Sequence, residues 1–413
     1  MSPTAPSCRF CGTKLRHTLV DLGMSPLSNA YLTAQQLDQM EPFYPLHVRI
    51  CDGCFLVQLE QYECPETIFG NYAYFSSYSE SWLNHARQYA ERMIHELALD
   101  SNSLVVEIAS NDGYLLQFFR AQGIRVLGVE PASNVAVAAE RRGIPTLVQF
   151  FGSATARELA EAGKQADLLI GNNVLAHVPD LNDFVAGLKL LLKPHGAITL
   201  EFPHLLRLIE GNQFDTIYHE HFSYFSLCTA EQIFRKHLLT VFDVEELTTH
   251  GGSLRLHIRH AEDDRLPVAA RVAELKSREI SAGMQDLPRF SLFAEKVQET
   301  KRCLLEFLIS VKRQGKSVAG YGAPAKANTL LNFCGIGTDF IDYTVDMSPH
   351  KQNRFLPGTH IPVFSPDRIR ETRPDYLLIL PWNLRDEIVS QMAHIREWGG
   401  RFVIPIPRAE VLS

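Results

Sequence analysis

The segment Asp215-Thr216-Ile217-Tyr218-His219-Glu220-His221-Phe222-Ser223-Tyr224-Phe225 gathers two histidines, a glutamate and two tyrosines among other aromatic residues. Imidazole and carboxylate groups transfer protons near neutral pH when their surroundings tune them, so this is a candidate acid–base centre. Taken singly, each histidine reads more simply as a satisfied side chain of a partly buried turn. The density of the group favours function. His219 and His221 with Glu220 offer a metal set as a lesser alternative, because an HxH on a strand-like segment needs further ligands that the sequence does not supply.

A second chemistry-bearing pattern lies at the N-terminus, where Cys8 and Cys11 form one CxxC and Cys51 and Cys54 another. Gly12 follows the first pair, and Asp52-Gly53 lies inside the second. Two thiolates three positions apart on a tight turn reach one ion, and two such knuckles complete a closed tetrahedral zinc site. Four thiolates leave no open position, so the zinc would be structural. A redox role would need only one pair. Cys64, Cys228, Cys303 and Cys334 are isolated and read as small buried hydrophobes.

These groups need elements to hold them. Leu104-Val105-Val106-Glu107-Ile108 is a strand, Ala109-Ser110-Asn111-Asp112-Gly113 a tight loop, and Tyr114 to Phe119 the start of a helix. Val126 to Glu130 is a second strand closed by an acid, followed by a helix over residues 132–142. Strand-like runs recur at Leu168-Leu169-Ile170-Gly171 and Ala197-Ile198-Thr199-Leu200. Strands alternating with helices predict an α/β doubly wound parallel sheet. Its ligand would sit outside the carboxyl ends of the strands. Glu130 would then accept hydrogen bonds from two ribose hydroxyls, and Glu107 would suit a positively charged ligand.

The loop resembles the E-x-G-x-G-x-G motif of class I methyltransferases, with Ala109 and Asn111 in place of the first two glycines and Gly113 keeping the third. Read alone, it serves an NAD site or a plain strand–turn–helix equally well. The stretch from Asp167 to Asp180, with Asn172, Asn173 and His177, resembles the methyltransferase strand that ends beneath the cofactor. Leu191-Leu192-Lys193-Pro194-His195-Gly196 is similar to the turn before their fifth strand. Together these elements predict S-adenosylmethionine as cofactor, contacted by Glu107, Ala109, Asn111, Gly113, Glu130, Asn172 and Asn173.

The CxxC knuckles, SNDGYLL, GNNVLAHV, DTIYHEHFSYFS, HGGSLR, GYGAPAKANTLLN and PDYLLILPWNLRDEI together resemble the C-methyltransferases of deoxysugar biosynthesis, over nearly the whole chain. The resemblance implies an N-terminal zinc-binding subdomain (1–75), a class I methyltransferase core (76–260) and a C-terminal Rossmann-like domain (261–413). It implies a dTDP-linked 4-keto deoxysugar methylated at C3. It makes His221 the base that removes the C3 proton and Glu220 the group that tunes it. Tyr218, His177 and Tyr72 match further active-site positions. The alternatives are an O- or N-methyltransferase, or a zinc-containing binding protein without catalysis.

In the C-terminal third, residues 302–314 read as a helix and Ser317 to Tyr321 as a strand. Gly322 to Lys326 then turns into a helix over residues 327–333. Strand, glycine turn and helix form an anion-binding geometry, so Lys326 and Asn328 are candidates for the sugar nucleotide's diphosphate. Later strands are expected at 340–345, 376–380 and 402–405. Residues 262–289 read as a charged, solvated connector without chemistry.

With 46% hydrophobic and 21% charged residues in 413, the composition is that of a multidomain globular protein. A net charge of −7 gives no field for nucleic acid or an anionic membrane. No apolar run approaches the roughly 18 residues of a spanning helix, and residues 1–7 do not resemble a secretory signal. The expectation is cytoplasmic, with no nucleic-acid or membrane partner. Oligomeric state is left open.

Overall fold

The computed structural model describes residues 6–70, 76–78 and 80–412. Strands β1 (His17–Ser25), β2 (Tyr44–Ile50) and β3 (Val57–Leu59) form an antiparallel sheet after the first cysteine knuckle. Leu46, Val48 and Ile50 alternate inward along β2, the period of a strand with one covered face. The second knuckle is the turn between β2 and β3. The fourth strand of this sheet, β9 (Ser223–Tyr224), comes from far along the chain and pairs Tyr224 with Val57. Helix α1 (Pro65–Phe69) follows, with proline at its first position.

Next comes helix α2 (Glu80–Glu96). The central α/β unit then runs through β4 (Leu104–Ile108), α3 (Leu116–Ala121), β5 (Arg125–Val129), α4 (Ser133–Arg141), β6 (Thr146–Leu147), α5 (Ser153–Glu161), β7 (Ala166–Asn172), α6 (Leu181–Leu191) and β8 (Leu192–Pro203). After α7 (Leu205–Glu210) and β9 come α8 (Leu227–Lys236), β10 (Leu239–Leu247) and β11 (Ser253–His260). The sheet order is β10-β11-β8-β7-β4-β5-β6, with β11 antiparallel to both its neighbours. All of β4 is buried, because helices cover both faces of a parallel sheet. The strand order reverses between β4 and β7, opening a crevice at their carboxyl ends.

Helices α9 (Ala270–Ser281) and α10 (Leu287–Arg313) lead to a third sheet. It is built from β12 (Val318–Tyr321), β13 (Thr344–Val345), β14 (Val363–Phe364), β15 (Tyr376–Ile379), β16 (Arg401–Ile404) and β17 (Glu410–Val411), in the order β14-β13-β12-β15-β16-β17. Helices α11 (Ala325–Cys334), α12 (Arg368–Thr372) and α13 (Arg385–Gln391) connect its strands. The strand expected over 340–345 shrinks to Thr344–Val345, and the helix expected from 302 begins at Leu287.

The connector is also not merely solvated. Helix α9 buries Val272, Leu275 and Glu279. The Glu279 carboxylate lies 2.6 Å from His204 Nε2 and accepts from the amides of Leu227 and Cys228, which open α8. A charged sequence concealed an amphipathic helix whose one buried acid caps another helix. The three parts share their cores. Cys8, Phe10, Cys51 and Cys54 pack with Leu181, Phe225 and Leu227, while Leu46 and Val48 belong with Phe214, Leu304 and Leu330. Among the described residues no helix is long and apolar enough to cross a membrane.

Candidate functional site

A cavity of about 540 Å³ lies at the crevice, lined by residues from all three parts of the chain. The loop after β4 forms one wall. Ala109 (φ 57°), Asn111 (φ 49°) and Gly113 (φ 76°) are all left-handed, so the two substituted positions keep the backbone path that glycines would favour. At Gly113 a Cβ would sit 2.8 Å from Ile144 Cγ1, so only glycine fits. Ala109 and Asn111 line the cavity, whereas Gly113 and Glu107 do not. Glu107 is fully enclosed within β4. Burial pushes its pKa well up, the Tyr114 hydroxyl opposes this, and Glu130 and Asp112 add to it. These two residues shape the site from behind the wall instead of forming it, because β4 is covered on both faces.

Glu130 follows β5 and lines the cavity. Its two oxygens accept from the amides of Asn111 and Ala132, each at 2.9 Å, and burial raises its pKa. Each oxygen keeps a lone pair for a ligand hydroxyl. Asn172, the last residue of β7, and Asn173 after it lie on the same wall, and both side-chain carbonyl oxygens are buried without a partner among the described residues. Acceptors of this kind suit a ligand bearing hydroxyls and an ammonium, so the residues present fit S-adenosylmethionine.

The segment 218–222 is a turn and not a strand. It sends Tyr218, Glu220 and His221 to the cavity, where they meet His177. The His221 Nδ1 lies 2.9 Å from the Thr216 carbonyl, which fixes the ring proton on Nδ1 and leaves Nε2 as the basic nitrogen. The rings of His177 and Tyr218 lie 4.8 Å and 4.1 Å from it. Burial drives the His221 pKa well below its ordinary value, with His177 adding to the effect. Burial likewise takes His177 to about 4. Glu220 Oε1 accepts from Asn29 Nδ2 at 2.6 Å. His219 packs elsewhere, its Nε2 near the Pro45 carbonyl at 3.2 Å and its ring beside Tyr44 and Tyr62. The two histidines therefore do not converge on one ion. Tyr72 lies outside the described residues.

The C-terminal part supplies Lys326, but not to an isolated anion site. Its Nζ donates to Asn383 Oδ1 at 2.7 Å and lies 4.5 Å above the Trp382 ring. Asn328 is off the cavity wall and fully buried, with its Nδ2 bonded to the Ser28 carbonyl, so it braces the N-terminal segment against α11. Several cavity residues were not anticipated: Asn29, Trp82, Phe150, Phe151, His250 and Lys351. His250 sits within the HGGSLR motif, and its surroundings gave no periodic signal. Its left-handed backbone (φ 54°) appears only in three dimensions.

All four expected zinc ligands converge, with their Sγ atoms within 4.8 Å of one another. Cys8 and Cys54 are 3.6 Å apart, and Cys11 and Cys51 3.5 Å. Four thiolates about 2.3 Å from zinc in a tetrahedron would be about 3.8 Å apart, so the set fits zinc. Gln58 Nε2 donates to Cys8 Sγ at 3.2 Å, and the Gly53 amide to Cys51 Sγ at 3.4 Å, as second-layer donors do around thiolates.

The strand order, the acid after β5 and the cavity at the switch point define an S-adenosylmethionine-dependent methyltransferase with a structural zinc site. Family models match a zinc binding domain over residues 8–69, a methyltransferase domain over 82–243 and a C-methyltransferase C-terminal domain over 248–407. The chain is 37% identical to C-methyltransferase NovU of Streptomyces niveus over 406 residues, covering 98% of this chain and 96% of that protein. The chain belongs to this family of S-adenosylmethionine-dependent C-methyltransferases. It is also 31% identical to a ubiquinone biosynthesis O-methyltransferase of Rhizobium etli over 98 residues, 23% of this chain and 38% of that one. A solved methyltransferase from Anabaena variabilis covers 43% of this chain and 85% of its own, with 16% identity and a TM-score of 0.36.

Proposed function

We propose that the protein methylates C3 of a dTDP-linked 4-keto deoxysugar and that His221 is the base. The observation that carries this reading is the Thr216 carbonyl on His221 Nδ1, which leaves Nε2 as a proton acceptor in the cavity. A C–H beside a ketone is acidic enough for such a base. His221 Nε2 takes the C3 proton, and the C–H electron pair passes into the C3–C4 bond and onto the ketone oxygen. S-Adenosylmethionine, when bound, supplies an electrophilic methyl group to C3. Glu220, held by Asn29, orients the turn that carries His221. Tyr218 and His177 flank His221 and position the sugar ring.

In this reading Glu130 would hold the cofactor ribose, and Phe150 and Phe151, which line the same cavity, would offer apolar surface to its adenine. Ala109, Asn111, Asn172 and Asn173 complete the pocket, with Glu107 and Gly113 behind it. Lys351 and the N-terminus of α11 offer positive charge for the diphosphate. The test is mass spectrometry of a panel of nucleotide-linked keto-sugars incubated with enzyme and methyl donor. A product heavier by one methyl group, together with C3 proton exchange into deuterated water without methyl donor, supports the reading. Methylation on oxygen or nitrogen without exchange overturns it.

A further inference from the structure

We propose that Lys326 and His250 together form the site that holds negative charge on the ketone oxygen during deprotonation, and that Lys326 is not a diphosphate ligand. This rests on the keto-sugar reading above. Both residues line the same cavity as His221. They are joined through Trp382. The Lys326 ammonium lies over the Trp382 ring at 4.5 Å, and a Cβ on Gly251, the residue after His250, would sit 2.5 Å from Trp382 Cη2. The same indole donates from Nε1 to Asp215 Oδ2 at 2.7 Å. Asp215 precedes Thr216, whose carbonyl fixes His221. One aromatic plate thus sets the cation and the His250 loop against the turn that carries the base.

His250 is built for hydrogen bonding. The Asn173 amide donates to its Nε2 at 3.2 Å, so the proton resides on Nδ1, which has no partner among the described residues. Its left-handed backbone is an uncommon conformation for a residue with a side chain, and such positions gather at functional sites. Burial, with the Lys326 charge second, lowers its pKa to about 4, so it stays neutral at physiological pH. A neutral imidazole N–H is a competent donor to a ketone oxygen.

Lys326 supplies a full charge at the same place. Its ammonium also depresses the basicity of His221. That penalty disappears once the ketone oxygen becomes negative, because the oxygen neutralises the ammonium as the imidazolium forms. Proton removal and charge stabilisation are therefore coupled at one site. Burial lowers the Lys326 pKa below its ordinary value, and Asp215, buried and partnered by Trp382, opposes that shift.

The experiment measures C3 proton exchange into deuterated water with a dTDP-linked 4-keto-6-deoxyhexose and S-adenosylhomocysteine, alongside kcat and sugar KM for methylation. Lys326→Met should lower exchange and kcat roughly 10²- to 10³-fold, while sugar KM changes little and S-adenosylmethionine still binds. Lys326→Arg should recover part of the rate. His250→Asn, which tolerates the left-handed backbone, should also slow exchange strongly. If the methionine variant does not fold, the arginine and asparagine variants carry the test. Exchange close to wild type with a raised sugar KM in the Lys326 variants would make Lys326 a diphosphate ligand and overturn the proposal. A wild type that neither exchanges nor methylates the keto-sugar overturns the substrate reading, and this proposal with it.

Discussion

Arg9, the residue between Cys8 and the rest of the first zinc knuckle, donates from Nη1 to the Pro179 carbonyl at 2.8 Å. Its guanidinium also lies over the ring of Phe222, the residue after His221, at 5.4 Å. Phe222 in turn bonds through its backbone to both Ala176 and Leu59. The zinc knuckle therefore buttresses the two segments that carry His177 and His221.

Loss of zinc should consequently cost more than local order. Cys51→Ser should give a protein with little bound metal and reduced folding yield, read by metal analysis and thermal melting. Arg9→Ala separates bracing from metal binding. It should retain zinc and the fold but lose roughly 10-fold in kcat, since small misplacements of reacting groups are costly. Full activity in a zinc-free Cys51→Ser protein would overturn the structural assignment.

His221→Asn should lower kcat roughly 10²- to 10⁴-fold while S-adenosylmethionine binding survives. His219→Asn should do much less, because His219 faces Pro45, Tyr44 and Tyr62 and not the cavity. The pH profile is a second check. A base must be deprotonated, and the folded pKa of His221 lies well below 6.5. The acid limb of kcat/KM should therefore fall below pH 6.5 instead of at it.

Glu130→Ala should raise the KM for S-adenosylmethionine far more than that for the sugar. It also removes the acceptor for two buried amides, Asn111 and Ala132. A stability loss of about 1–3 kcal/mol is expected as well, measured by urea titration. An unchanged cofactor KM in a folded variant would remove Glu130 from the ribose site.

The buried pair of Glu279 and His204 makes a prediction about stability alone. Glu279→Ala leaves His204 and the Leu227 and Cys228 amides without their partner, and should cost about 3–5 kcal/mol. Burial acts to raise the Glu279 pKa, but its His204 and amide partners outweigh it and leave the value below the ordinary 4.5. The stabilisation is therefore present above about pH 4.5 and lost as pH falls through the lower folded value. Chemical denaturation between pH 3 and 7, on the order of half-unit steps, compares the wild type with Glu279→Ala. The two should converge at acid pH.

The sequence by itself determined the features that rest on local pattern. The doubled CxxC spacing specified four thiolates for one ion, since knuckle geometry is set within four residues. The apolar run at 104–108, the acid at Glu130 and the alternation of strands and helices specified a parallel sheet with its ligand at the strand ends. The aromatic turn from Asp215 marked itself by composition. Tertiary structure alone decided the rest. It showed that Ala109 and Asn111 adopt the backbone of absent glycines, because φ is fixed by packing around the loop and not by residue name. It turned His221 toward the cavity and His219 toward the N-terminal sheet, since β9 pairs with β3 across more than 160 residues. It buried Glu279 in a segment whose charge suggested solvent, and it gathered His250, Trp382 and Lys326 from separate stretches of sequence. No local pattern could encode those neighbours, because the contacts exist only after three sheets share their cores.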